Sequence, residues 1–173
     1  MVSDAIRLDG IAMHEAGHAV VAVDTGIGIE WVEMDDSSGL CKLRPPQEDS
    51  EDQLEKRIIV FWAGQVAQYK TKLLSCVLKC WEHDNRCAFG MLQTLEARKR
   101  ARLLSAEPLL ERLRQETVDE TEKRVLHLLS TIRRVAFALR KSRKLTEGQV
   151  VEIIRDHSQP EIESPQIQFW TMQ

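Results

Sequence analysis

His14-Glu15-Ala16-Gly17-His18 sets two imidazoles four residues apart around a carboxylate. On a helix, residues four apart face the same way with Cβ atoms about 5–6 Å apart, so both rings can hold one ion at about 2.0–2.1 Å. Glu15 is offset from His14 by about a third of a turn, which lets it reach a water on that ion without competing as a ligand. Zinc lowers the pKa of such a water, and a carboxylate so placed takes its proton and returns it to a leaving amine. The H-E-x-x-H pattern therefore points to zinc-dependent peptide hydrolysis, with His14 and His18 as ligands and Glu15 as the catalytic base. The bland reading is a core helix with two hydrogen-bonded histidines, and a third ligand decides between the two. His83, Asp84, Cys76, Cys80 and Cys87 are the candidates.

These residues need elements to hold them. Ile11, Ala16, Ala19, Val20 and Val23 predict a largely buried helix from about residue 8 or 9 to 24, ended by Thr25-Gly26. Gly17 costs that helix about 1 kcal/mol relative to alanine, which is explicable if another segment approaches closely there. Residues 28–34, with Ile29, Trp31 and Val32, read as a strand and turn, and residues 40–43 as a second strand pairing with it, before Pro45-Pro46 breaks the chain. The first strand could be an edge along which a substrate peptide adds, with Ile29, Trp31 and Val32 as substrate-binding residues, or a plain structural hairpin.

Further helices are predicted from their caps. Ser50-Glu51-Asp52-Gln53, Thr117-Val118-Asp119-Glu120 and Thr146-Glu147-Gly148-Gln149 each have the form of a capping box before an apolar stripe. Another helix is expected to begin near Asp84 or Asn85 and run to about residue 104, and Pro108 fits the first turn of a separate short helix. The expectation is one mainly α domain over residues 1–157 with a small β-hairpin or sheet after the first helix, and an irregular tail over 158–173.

The chain has 173 residues, 43% apolar and 29% charged, with a net charge of -3. That is ordinary globular composition, long enough to bury a core without a metal staple, and it gives no reason to expect a nucleic-acid partner. No apolar run approaches the roughly 20 residues of a membrane span, and no secretory signal is visible at the N-terminus. Three of the four cysteines crowd between 76 and 87, which suits reduced thiols and a cytoplasmic protein with no membrane anchor.

Residues 11–22, Ile-Ala-Met-His-Glu-Ala-Gly-His-Ala-Val-Val-Ala, resemble the active-site helix of the FtsH family of AAA-linked zinc metallopeptidases. The likeness runs in order over roughly residues 5–156. Arg57-Ile58-Ile59-Val60 through Ala63-Gly64-Gln65-Val66-Ala67 is similar to the family's helix with a G-R-A-A-E-E motif. Asp84-Asn85-Arg86 falls where the family has an N-D motif, and residues 139–154 resemble its closing helices. The resemblance implies a zincin-like helical peptidase domain in which Asp84 is the third ligand of a His2Asp zinc site. The other role open to Asp84 is N-cap of the helix that follows.

Three departures from the family stand out. Gln68 and Tyr69 replace the two glutamates of the G-R-A-A-E-E motif, which puts a supporting acidic role there in doubt. Trp81-Glu82-His83 replaces the small residues before the aspartate. No G-x-x-x-x-G-K-[ST] phosphate loop occurs, so the expected activity is an endopeptidase without its own ATPase, acting on flexible or unfolded polypeptides, with a separate unfoldase or a homo-oligomer as possible partners.

Rival readings attach to other groups. Cys76, Cys80, His83 and Cys87 share a face if helical, but four ligands along one straight helix span too far to surround a single ion. Free thiols packed as small apolar groups are the plain alternative. Arg98-Lys99-Arg100-Ala101-Arg102 reads as a solvated helix face, and Phe169-Trp170 either docks a partner or covers its own domain. Against the enzyme stands a catalytically inactive, peptidase-like binding or regulatory module.

Overall fold

The computed structural model describes residues 4–73, 78–101 and 109–156, with the backbone alone for 78–80. The elements run α1 (Asp4–Asp24), β1 (Ile29–Met34), β2 (Gly39–Leu43), α2 (Glu51–Thr71), α3 (Leu78–Arg100), α4 (Leu109–Ser142), β3 (Lys144–Thr146) and α5 (Glu147–Arg155). The protein is thus mainly helical with a small antiparallel sheet after the first helix, as expected. No described helix is long and apolar enough to cross a membrane. The predicted tail and its Phe169-Trp170 lie outside the described residues.

Every residue of α1 from Gly10 to Ala22 is buried, histidines and Glu15 included. A helix apolar nearly all round must be covered on every side. Here α2 and α4 flank it, and β1, β2 and α5 also pack on it. Ile11, Val20, Ile29, Val32, Val135 and Leu139 belong to the resulting core. A second cluster of Ile58, Trp62, Ala88, Leu92, Leu95, Leu109 and Leu113 clamps α3 to α2 and to the start of α4. That clamp fixes where Asp84 stands.

The caps at Ser50 and Thr146 form as predicted. Ser50 accepts from the Gln53 N–H at 3.2 Å, and Thr146 and Gln149 make a reciprocal capping box. The Thr117 box does not form. Thr117 lies inside α4, and its hydroxyl donates to the Leu113 carbonyl at 2.7 Å, so the predicted short helix and its successor are one continuous helix from Leu109. Leu109 and Leu113 carry the apolar stripe backwards through the expected break. The helix predicted to start at Asp84 or Asn85 also begins earlier, so Asp84 sits inside α3 and is no N-cap.

The sheet corrects another expectation. Its order is β2-β1-β3, because the three-residue β3, which sequence patterning missed, pairs with the other side of β1. With both its edges hydrogen-bonded, β1 cannot accept a further strand, and Ile29, Trp31 and Val32 are not substrate-edge residues. Ile29 and Val32 are core, while Lys144 Nζ lies 4.2 Å above the Trp31 ring. The free edge on the helical side belongs to β2.

Gly17 is where α1 and α2 touch. A Cβ on Gly17 would stand 2.8 Å from the Ala63 carbonyl oxygen and 3.0 Å from Gly64 Cα. Gly17→Ala, which adds about 1 kcal/mol in an open helix, is expected here to destabilise by about 1–3 kcal/mol through overpacking. Chemical denaturation measures the sign.

Candidate metal centre

His14 and His18 come from one face of α1, with ring centroids 4.6 Å apart and planes at 87°. Asp84 approaches from α3. Its Oδ2 lies 2.9 Å from His14 Nε2 and 3.2 Å from His18 Nε2, and the two Nε2 atoms are 3.0 Å apart. All three residues are buried. The structure thus brings His14, His18 and Asp84 together, from two helices.

The other ring nitrogens decide what these three atoms can be. His18 Nδ1 lies 2.7 Å from the Val60 carbonyl oxygen, an acceptor only, so that nitrogen carries the hydrogen and donates. His14 Nδ1 lies 3.0 Å from Gln68 Oε1. The orientation of the Gln68 amide is set by its neighbours, since its Nε2 donates to the Gly10 carbonyl at 2.8 Å and its Oε1 accepts from Trp81 Nε1 at 2.7 Å. His14 Nδ1 must therefore also donate. In neutral rings both Nε2 atoms then present lone pairs, and they face each other and a carboxylate oxygen with no hydrogen among them.

Three buried acceptors at such distances repel unless a cation lies between them. Ligand atoms bound tetrahedrally at about 2.0–2.1 Å stand about 3.3 Å apart, within a few tenths of an ångström of the spacings here. His14, His18 and Asp84 are the group, among the described residues, able to hold a metal ion. Gln68 and the Val60 carbonyl supply the outer hydrogen bonds that fix ring orientation in such centres.

Glu15 stands beside this group, 3% exposed, its side chain packed on β2. A Cβ at Gly39 would come within 2.3 Å of Glu15 Cγ. The Cys41 N–H donates to the Glu15 carboxylate. Burial raises the Glu15 pKa, opposed by His14 and His18. Burial, with the Glu15 and Asp84 charges behind it, pushes the Cys41 thiol up as well, so Cys41 lines the site as a thiol. A cavity of about 390 Å³ opens over the group, walled by β2, α2 and α3. Similarly, Gly64 is bare because a Cβ there would meet His18 Nε2 at 2.5 Å.

The cysteine-rich rival finds less. Cys76 lies outside the described residues, as does the Cys80 side chain, and Cys87 Sγ lies 3.6 Å from His83 Nε2 in a two-member contact. The basic run is a paired, solvated face, with Arg98 on Asp49, Lys99 on Glu55 and Arg100 on Glu96. Gln68 and Trp81, noted as departures from a family pattern, turn out to be partners, which their separation in the chain hid. No family model matches the chain, and no curated protein matches it.

Without metal, a proton is the only cation at hand. Burial alone would lower the His18 pKa, but the Asp84 charge and hydrogen bond outweigh it and push the ring up to about 9. The same pairing, against its own burial, holds the Asp84 carboxyl well below the usual carboxylate range. A raised histidine contributes stability fully present below its ordinary value of 6.5 and lost as pH climbs through about 9. The melting temperature of chelator-treated protein should fall across that interval. Stabilisation by added zinc should grow across it, because metal and proton compete for the same nitrogens. A flat metal-free profile would exclude a proton bound in this way.

Proposed function

We propose that the chain is a zinc-dependent endopeptidase, a zincin-like relative of the FtsH peptidases. The observation that carries this reading is the convergence of His14 Nε2, His18 Nε2 and Asp84 Oδ2 beside a buried Glu15 at the foot of an open strand edge. Two imidazoles and a carboxylate suit zinc, and three protein ligands leave a position for chemistry. Zinc held there would supply the Lewis acidity that makes water acidic and polarises a peptide carbonyl.

The remaining work falls to the chain's own side chains. Because the Cys41 N–H points to Glu15, away from β1, the backbone of Gly39 and Cys41 faces the cavity, and an extended peptide can lie along β2 as a fourth strand once Glu15 turns from the Cys41 N–H to the water it activates. Such pairing brings the bond to be cut over Glu15. Glu15 accepts a proton from water at its carboxylate and donates it to the departing amine, a task suited to a carboxyl whose pKa burial raises. Gln68 and the Val60 carbonyl keep both imidazoles in the tautomer that leaves Nε2 free.

A peptide that must straighten into a strand comes from a flexible or unfolded chain, so the substrates are of that kind, delivered by an unfoldase or already loosened. Cys41 and Cys87 are free thiols, in keeping with a cytoplasmic setting.

Metal analysis and cleavage of casein or peptides, comparing the parent with Glu15→Gln, test the reading. The parent should carry one zinc per chain and lose cleavage to chelator. Glu15→Gln should keep metal and fold while cleavage drops by about 10²–10⁴-fold. Unchanged cleavage by Glu15→Gln would remove Glu15 from the chemistry, and no cleavage by the zinc-loaded parent would turn the assignment to a binding or regulatory module.

A further inference from the structure

Arg57 has no part in the chemistry just described, yet it lines the same cavity. It is 9% exposed, and no carboxylate pairs with it among the described residues. One Nη donates to the backbone carbonyl of Arg44, and Nε is buried with no partner. Burial lowers its pKa from the ordinary arginine value, a sign of a charge held short of water. A buried guanidinium normally has a carboxylate or phosphate in its fork.

The charges around it leave that place to an outside group. The acids lining the cavity are Glu15 and Asp84, one turned to β2 and the other to the histidines. Lys42 adds positive charge to the lining, and the neighbouring Arg44 is already paired with Glu147. With a divalent cation among His14, His18 and Asp84, the cavity's balance is positive. Position adds the rest. Arg57 is one turn before Val60 on α2, and its bond to the Arg44 carbonyl puts it at the far end of β2 from Gly39. Three residues of strand from Cys41 to Arg44 span about 10 Å.

We propose that Arg57 is a specificity residue, a carboxylate-binding subsite that selects peptides bearing an acidic group two or three residues from the bond lying over Glu15. This rests on the peptidase reading for its substrate class. The carboxylate is a Glu or Asp side chain or the free end of the peptide, which carry the same chemistry.

Binding to zinc-loaded Glu15→Gln protein tests it, since the peptides then survive. Fluorescent decapeptides with a single Glu walked along a neutral sequence, Gln controls, and acid and amide C-termini are compared. One Glu position, or the free terminus, should bind about tenfold or more tightly than its neutral match. Arg57→Gln should abolish that preference and Arg57→Lys should keep part of it, with melts confirming that each variant folds. Equal binding of charged and neutral peptides, or a preference that survives Arg57→Gln, overturns the proposal. If Arg57→Gln fails to fold, the Arg57→Lys ratio decides: an unchanged preference overturns the proposal and a diminished one supports it. Cleavage by the protein with Glu15 intact is scored separately. An intact preference without cleavage would sink the hydrolase and leave the subsite standing.

Discussion

With both rings neutral, two imidazole lone pairs and a carboxylate oxygen would lie buried about 3 Å from one another without a hydrogen between them, an arrangement that a folded chain does not keep by default. Rotating either ring would relieve it. The rotation is blocked because each Nδ1 already donates, one to a helix carbonyl and the other to a side-chain amide that is itself held from two directions. The surrounding hydrogen bonds therefore keep the three atoms together, and the repulsion between neutral rings and carboxylate is relieved by a proton on His18 or by a metal ion in its place. Local destabilisation maintained by a rigid frame is a common mark of functional sites.

The frame is α1 and what covers it. Because the helix is buried from Gly10 to Ala22, its rotation about its own axis is set by apolar contacts on α2, α4 and the sheet. A shift of one residue would bury other side chains and swing both imidazoles away from Asp84. The second apolar cluster does the same for α3 through Leu92 and Leu95, about two and three turns beyond Asp84. Each half of the site is thus registered by a different part of the core.

How much of this was legible in the sequence varies with the range of the interaction involved. The i,i+4 histidines and the capped starts of α2 and α5 are local facts, and periodicity and caps show them. Thr117 misleads because a threonine before an acidic residue looks alike whether its hydroxyl caps a helix or bonds back to a carbonyl four residues earlier. The strand order was hidden because β3 is three residues long, too short for any period, and its presence turns β1 from an edge into a centre. Gln68 and Trp81 were visible as exchanges of residue type. Their meaning was not, because the Gln68 amide is oriented by an indole N–H that arrives from another helix and by a carbonyl of a third.

The bare contact between Gly17 and Gly64 sets the gap between two helices by main chain against main chain. Side chains elsewhere in the core can swap volumes and adjust rotamers, but two backbones in van der Waals contact have nothing to compress. The distance from the imidazole pair to the α2 groups that hold its Nδ1 atoms is accordingly gauged by atoms every residue possesses. Volume changes elsewhere in the apolar interior can be absorbed without altering that distance.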